Sequence, residues 1–227
     1  MLKKNGAIDR AEQESIRKGL VEAGISESQI ETSRVGLLGY STDVGPIRLM
    51  PMAVIGVKSH SDVEKAVRFA HQHHIPINAR GGGSGLPAQS VGSGIVLDMR
   101  SLEEMEVVGN HPDGGKIVFT QAGVLCTRLN NYLRKYGVFL ASYPASTDMS
   151  TIGGMIANNA SGANSCKLGT TQHHVLDLRL VLADGTSLWA SEISSDREPW
   201  KRILELIRIS RETIDRDYPR VPKNSSG

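Results

Sequence analysis

The residues able to do chemistry gather in two short stretches. The first reads Ile77-Asn78-Ala79-Arg80-Gly81-Gly82-Gly83-Ser84-Gly85-Leu86, four glycines and a serine directly behind an arginine. Glycine has no Cβ, so such a backbone curls easily and lets another group approach closely. Successive N–H groups in a turn of this kind form a concave anion site, and Arg80 adds a planar cation that stays charged. The stretch therefore reads as a diphosphate cradle at the end of a strand; the competing reading is a flexible surface turn. Two established phosphate motifs do not fit. A P-loop ends in Gly-Lys-Ser/Thr, and no lysine lies between Arg80 and Arg100. The spacing Gly83-x-Gly85-x-x-Ala88 has the form of a dinucleotide fingerprint. However, Gln89-Ser90-Val91-Gly92-Ser93-Gly94 cannot continue into the apolar helix that fold requires.

The second stretch runs from Tyr143 to Gly169 and is dominated by small residues: Gly153, Gly154, Ala157, Ala160, Gly162 and Ala163. Ile152, Met155 and Ile156 are interspersed, which a solvated linker would not carry. A backbone this bare packs against a flat ligand, with Ser146, Thr151, Asn159 and Ser161 as hydrogen-bond partners. A small-residue helix pressed against a neighbouring element explains the same pattern equally well. His71, His73 and His74 close a helix and complement its C-terminal dipole rather than a metal. His173 and His174 read as solvated or structural.

The elements that position these stretches follow from periodicity. Ile16, Leu20 and Ala23 recur at helical spacing within 9–23, and Ser26-x-x-Gln29 caps a second short helix. Met52 to Val57 is a compact apolar strand, followed by a helix over 62–73 with Val63, Ala66, Val67 and Ala70 on one face. Ile75-Pro76-Ile77 opens the next strand and feeds the glycine loop. Strand–helix–strand with a ligand loop at the strand's C-terminal end is a usual binding place in α/β sheets. Further strands are expected over 94–98, 105–108, 116–120 and 138–140, a helix over 125–136, a hairpin 175–182/186–190 about Ala183-Asp184-Gly185, and a helix over 199–214.

Composition bounds the rest. The 227 residues hold one large domain or two small subdomains, with 39 % hydrophobic and 22 % charged residues, ordinary soluble usage. A net charge of +2, spread along the chain, and 4 % aromatics argue against nucleic acid as a partner. No run approaches the roughly 20 apolar residues of a membrane span. The start, 1–10, lacks a signal-peptide core, so a cytoplasmic location is expected, with peripheral attachment to the inner membrane face left open. Cys126 and Cys166 stand far apart and read as free thiols.

With two glycine- and alanine-rich loops in this order, the chain resembles the FAD-linked oxidases of the vanillyl-alcohol oxidase and p-cresol methylhydroxylase (PCMH) type. Within them it is most similar to dehydrogenases of D-lactate, glycolate or D-2-hydroxyglutarate. The likeness covers roughly 35–227. Arg80-Gly81-Gly82-Gly83-Ser84-Gly85-Leu86 with Gln89 resembles the family's pyrophosphate loop, serine standing at the usual threonine position. Pro144-Ala-Ser146, Thr151-Ile-Gly153-Gly154, Asn159-Ala-Ser161-Gly162, Gly169-Thr-Thr171 and Val175 resemble the segment along the flavin and its ribityl chain.

The resemblance implies an α+β, PCMH-type FAD-binding domain of two subdomains. One has a small βαβ-containing sheet, the other a larger, mostly antiparallel sheet cut short at the C-terminus. Residues 1–45 would be a helical lead-in and 46–227 the incomplete FAD domain. FAD is expected to be non-covalent, because the Arg80–Gln89 loop has no histidine for attachment. The implied activity is hydride transfer from a small 2-hydroxy acid to FAD, giving the 2-oxo acid and passing electrons to an unidentified acceptor. No catalytic base or metal ligand is assigned, and a homo-oligomer is left open. The 224–227 ending resembles the segment before the family's substrate domain. An N-terminal portion of a longer flavoenzyme is therefore expected, any iron–sulfur cluster belonging to the missing part. The rival functions are a flavin-dependent alkyl-glycerone-phosphate synthase-like transferase, or a cofactor-binding module inactive alone.

Overall fold

The computed structural model describes residues 10–196 and 198–220; the 1–9 start and the 224–227 ending discussed above lie outside them. Its centre is a four-stranded sheet in the order β1-β2-β4-β3. β1 (Ile30–Glu31) runs antiparallel to β2 (Ala53–Gly56), while β3 (Ile77–Arg80) and β4 (Ile95–Asp98) run parallel to β2. β4 lies between β2 and β3, and each of its four residues is buried. That burial on both faces explains why its sequence is an unbroken apolar run rather than an alternation.

Helices cover both faces. α1 (Arg10–Glu22) buries Ile16 and Leu20. α3 (His60–Gln72) buries Val63, Ala66, Phe69 and Ala70 against Ala53, Ile55, Ile95 and Leu97. α3 starts at a capping box in which Ser59 and Asp62 each bond the other's backbone N–H, satisfying two donors that the first turn leaves orphaned. On the opposite face α2 (Arg34–Leu38) inserts Leu37 against Val54 and Val96, with Tyr40 and Met50 beside it. The expected lead-in is thus built into this first unit, supplying β1, α1 and α2.

The second cluster forms around α4 (Cys126–Leu133) and α5 (Ile152–Ala157), which bury Cys126, Leu129, Leu133, Ile152 and Met155 together with Val124. The hairpin β5 (Met105–Asn110) and β6 (Lys116–Thr120) contributes Met105, Val107 and Val118 to it. After α6 (Ser165–Leu168), the hairpin β7 (Arg179–Val181) and β8 (Ser187–Trp189) returns to α3. His60 Nε2 lies 2.8 Å from Ser187 Oγ there, and Gly185 turns at φ 82° against Arg68. α7 (Trp200–Ile209) and α8 (Arg211–Asp217) end the described chain. Among the described residues the strands outside the central sheet form two separate two-stranded antiparallel sheets.

Three expectations are corrected. The strand over 138–140 is absent, because the Asn130 side chain takes both backbone groups of Leu140: its Oδ1 accepts the N–H at 2.7 Å and its Nδ2 donates to the carbonyl at 3.4 Å. The first hairpin strand starts at Arg179 rather than 175. Just before it, Asp177 Oδ1 accepts the N–H groups of Leu178 and Ser191, replacing ladder bonds. The 199–214 helix is two helices, interrupted at Ser210, whose N–H is shared between the Leu206 and Arg208 carbonyls. Serine competes for local backbone groups and is a weak helix interior residue. By contrast, the helix ending before Gly137 is as expected: α4 tightens into a 3-10 turn and stops at Gly137, φ 71°.

Ile95 is fully buried at the centre of the sheet. Ile95→Ala should cost about 2–5 kcal/mol, seen as a lower urea midpoint at unchanged slope.

Candidate functional site

β3 and β4 end side by side, with Arg80 in register with Asp98, and the glycine loop springs from that edge. Gly83 sits at φ 67°, a backbone conformation that L side chains avoid, with the Arg80 guanidinium packed against it. Among the described residues, the backbone N–H groups of Gly82, Gly83, Ser84, Gly85 and Leu86 meet no acceptor. Buried and half-buried backbone donors are normally paired, so the four from Gly82 to Gly85, continued by that of exposed Leu86, form a row open to an external acceptor. Pro87 ends the row, having no N–H.

The second loop lies directly against the first. A Cβ on Gly81 would overlap the Thr151 side chain, and one on Gly82 would overlap the Met149 carbonyl. Ser84 Oγ lies 3.3 Å from Ser150 Oγ, which lies 2.8 Å from Ser146 Oγ, and Gln89 Nε2 donates to Asn158 Oδ1. This amends the reading of the glycines. At positions 81 and 82 the missing side chain admits the second loop. Gly153 obeys the same rule, since its Cβ would stand 2.7 Å from that of Ala122; a Cβ at Gly162 would overlap the Tyr143 carbonyl. At Gly153 and Gly162 the small-residue stretch is therefore closely packed against its neighbours. Thr151 caps α5, its Oγ1 accepting from Gly154 N–H at 3.3 Å.

The remaining candidates form an adjoining group. Asn159 adopts φ 43° and its Oδ1 accepts from Gln172 N–H at 3.0 Å, while buried Thr171 bonds the Ala160 carbonyl through Oγ1 at 2.7 Å. Gly169 turns at φ 81° against His173, and Val175 ends the 3-10 turn that follows. His173 Nδ1 accepts from Thr170 N–H, and His174 Nε2 lies 3.0 Å from the Leu168 carbonyl, so both histidines fasten this turn. Pro144 is half-buried, while Ser161 and Leu86 are exposed.

Sequence reasoning missed a charged network beneath the loop. Asp98 is buried and receives the Arg100 guanidinium through Nε at 2.9 Å and Nη2 at 2.6 Å, together with the Tyr40 hydroxyl at 2.7 Å. Burial alone would raise the Asp98 carboxyl, but the bonds from Arg100 and Tyr40 outweigh it and hold the group below its usual range. Burial, then the Asp98 carboxylate, hold the Tyr40 hydroxyl above its usual value, so it remains a donor. Arg80 lies over the same Tyr40 ring, 5.6 Å from its centroid. Burial works against the Arg80 charge and Asp43 works for it, yet no carboxylate of the described residues comes within 4.0 Å of the guanidinium. The one available signal was an aspartate closing the otherwise apolar run Ile95-Val96-Leu97-Asp98. A half-buried, unpaired cation beside five free N–H groups suits a dianion such as a diphosphate.

The architecture is that of the PCMH-type FAD-binding fold: p-cresol methylhydroxylase superposes with a TM-score of 0.64 at 16 % identity, over 86 % of this chain and 38 % of that one. Residues 51–191 match the model of the FAD binding domain, and the chain belongs to that family. It is 35 % identical over 191 residues to the D-2-hydroxyglutarate dehydrogenase of Escherichia coli, covering 82 % of this chain and 18 % of the relative. It is 33 % identical over 153 residues to the D-lactate dehydrogenase of Archaeoglobus fulgidus, covering 64 % and 33 %. The chain thus spans only 18 % and 33 % of the length of these two relatives. Among the described residues no helix is long and apolar enough to cross a membrane.

Gly82→Ala should loosen the joint between the loops, since the added Cβ meets a backbone carbonyl that cannot rotate away. The expected cost is roughly 1–3 kcal/mol in urea unfolding, accompanied by faster proteolysis within the loops. The Asp98 carboxyl, held low in the folded protein, contributes stability that is present above the unfolded carboxylate pKa, about pH 4, and is lost as pH falls through the lower folded value. Unfolding free energy measured from pH 5 down to pH 2 should therefore fall less steeply in Asp98→Asn than in the wild type.

Proposed function

We propose that the chain is the FAD-holding part of a flavin-dependent dehydrogenase that oxidises a D-2-hydroxy acid of the lactate, glycolate or 2-hydroxyglutarate class to the 2-oxo acid. The observation that carries this reading is the row of five acceptor-free N–H groups from Gly82 to Leu86 beside the unpaired Arg80 guanidinium. The names of the two relatives support the substrate class.

In this reading the glycine loop binds the diphosphate of FAD and Arg80 offsets its charge. The second loop, through Thr151, Gly153, Gly154, Asn159 and Gly162, shapes the wall along the rest of the cofactor, with Ser146 bracing it. Bound flavin supplies the two-electron acceptor for a hydride from the substrate's α-carbon. Attachment is non-covalent, since no histidine stands between Arg80 and Gln89. No residue of this chain is assigned as the substrate's proton acceptor or carboxylate-binding group; in this reading these, any iron–sulfur cluster and the site for the electron acceptor lie outside the residues given. We assign residues 46–227 to the FAD-binding domain, with the lead-in built onto it, and place the protein in the cytoplasm, free or at the inner membrane face.

The purified chain, mixed with FAD and freed of excess, should show visible flavin absorption bands, and acid denaturation should release all of the flavin into the supernatant. Flavin that stays with the precipitate would contradict non-covalent binding. In the enzyme carrying the remaining domains, anaerobic D-2-hydroxyglutarate or D-lactate should bleach those bands, whereas bleaching by neither would overturn the dehydrogenase reading. The synthase-like alternative predicts no net flavin reduction by a hydroxy acid.

A further inference from the structure

We propose that Tyr40 is a positioning residue for the cradle, its ring being the platform that holds the Arg80 guanidinium beside the glycine loop. This rests on the diphosphate reading above and adds a residue forty positions upstream of the loop, in a segment to which neither glycine-rich stretch points.

The case is geometric. Among the described residues Arg80 has only two polar contacts, both long: 3.4 Å to the Ser90 carbonyl and 3.5 Å to Ser90 Oγ. Contacts that long do not fix a five-donor guanidinium. Its guanidinium also packs against the Gly83 backbone and lies over the Tyr40 ring. A ring face attracts a guanidinium without consuming its N–H donors, so those donors stay free for an anion. The ring in turn is fixed at its far end. Its hydroxyl donates to Asp98 at 2.7 Å and accepts from Arg100 Nη2 at 3.1 Å, while Arg100 and Asp98 clamp each other with paired bonds.

Asp98 closes β4 next to Arg80 at the end of β3, so the whole assembly is referenced to the central sheet. Asp98 is already satisfied by two partners and does not capture Arg80, which a carboxylate would otherwise withdraw from the loop. Arg100 lies 6.0 Å from the same ring centroid, and its charge opposes that of Arg80. Asp43, linked to Ser90 Oγ at 3.4 Å, is the carboxylate that counters this repulsion from the other side.

The test is a double-mutant cycle on FAD affinity, followed by quenching of flavin fluorescence, with circular dichroism as a check on folding. Tyr40→Leu should weaken FAD binding roughly tenfold and Tyr40→Phe by less than about threefold. Arg80→Ala with Tyr40→Leu should bind no more weakly than Arg80→Ala alone, because the ring acts only through the guanidinium. A Tyr40→Leu loss that persists undiminished in the Arg80→Ala background would overturn the proposal, since it would mark a merely structural role. If the leucine variant fails to fold, Tyr40→Phe is compared with pentafluorophenylalanine at the same position, equal in outline but with its ring polarity reversed. Affinity should fall on fluorination, and equal affinities would overturn the proposal. A wild-type chain that takes up no FAD would instead overturn the diphosphate reading on which this one stands.

Discussion

The site depends on one steric constraint: two stretches of backbone approach closer than any side chain allows. Gly81 and Gly82 lie against Thr151 and the Met149 carbonyl, and a Cβ at either position would overlap these atoms. With that contact made, Ser84, Ser150 and Ser146 line up as a chain of hydroxyls across the joint. Glycine is ordinarily costly in an ordered segment because it loses the most backbone freedom. Here the cost is offset by a contact no other residue can make.

The two loops come from different hydrophobic clusters. The first springs from the four-stranded sheet packed under α1 and α3, and the second from the cluster of α4 and α5. Each cluster needs the interface, since Thr151, nearly inaccessible to solvent, both caps α5 and abuts Gly81. Cys126 N–H donates to the Ser150 carbonyl at 2.9 Å, tying the start of α4 to the same loop. A ligand lying along such a seam would touch both units at once.

Charge is arranged around the seam by a similar division of labour. Asp98 absorbs Arg100 and Tyr40, and among the described residues no carboxylate pairs with Arg80. Asp98 is buried and held by paired charge-assisted bonds from the more exposed Arg100, so the clamp is a fixed reference for the less constrained guanidinium beside it. The arrangement keeps one cation available at the cost of committing another.

Much of this was legible in the residues. The apolar runs at Ala53–Gly56 and Ile95–Asp98, the capping box opening α3, the glycine loop after β3 and the hairpin at Gly185 follow from local chemistry: burial pattern, cap donors and positive φ. The order of the two small-residue loops carried the family. Other features only the tertiary structure decided. Asn130 captures Leu140 and suppresses a strand, and Asp177 does the same for the ladder before Arg179, because a side-chain amide or carboxylate can replace a ladder bond whenever the fold brings it close. What each glycine is for also required the fold, since a bare backbone facing a ligand and one facing a neighbouring loop are written with the same letter. The Tyr40–Asp98–Arg100 network joins residues 58 to 60 positions apart, and no local pattern reports that distance. Sequence sets local conformations, whereas the meeting of charges across a sheet edge is fixed only when the strands pair.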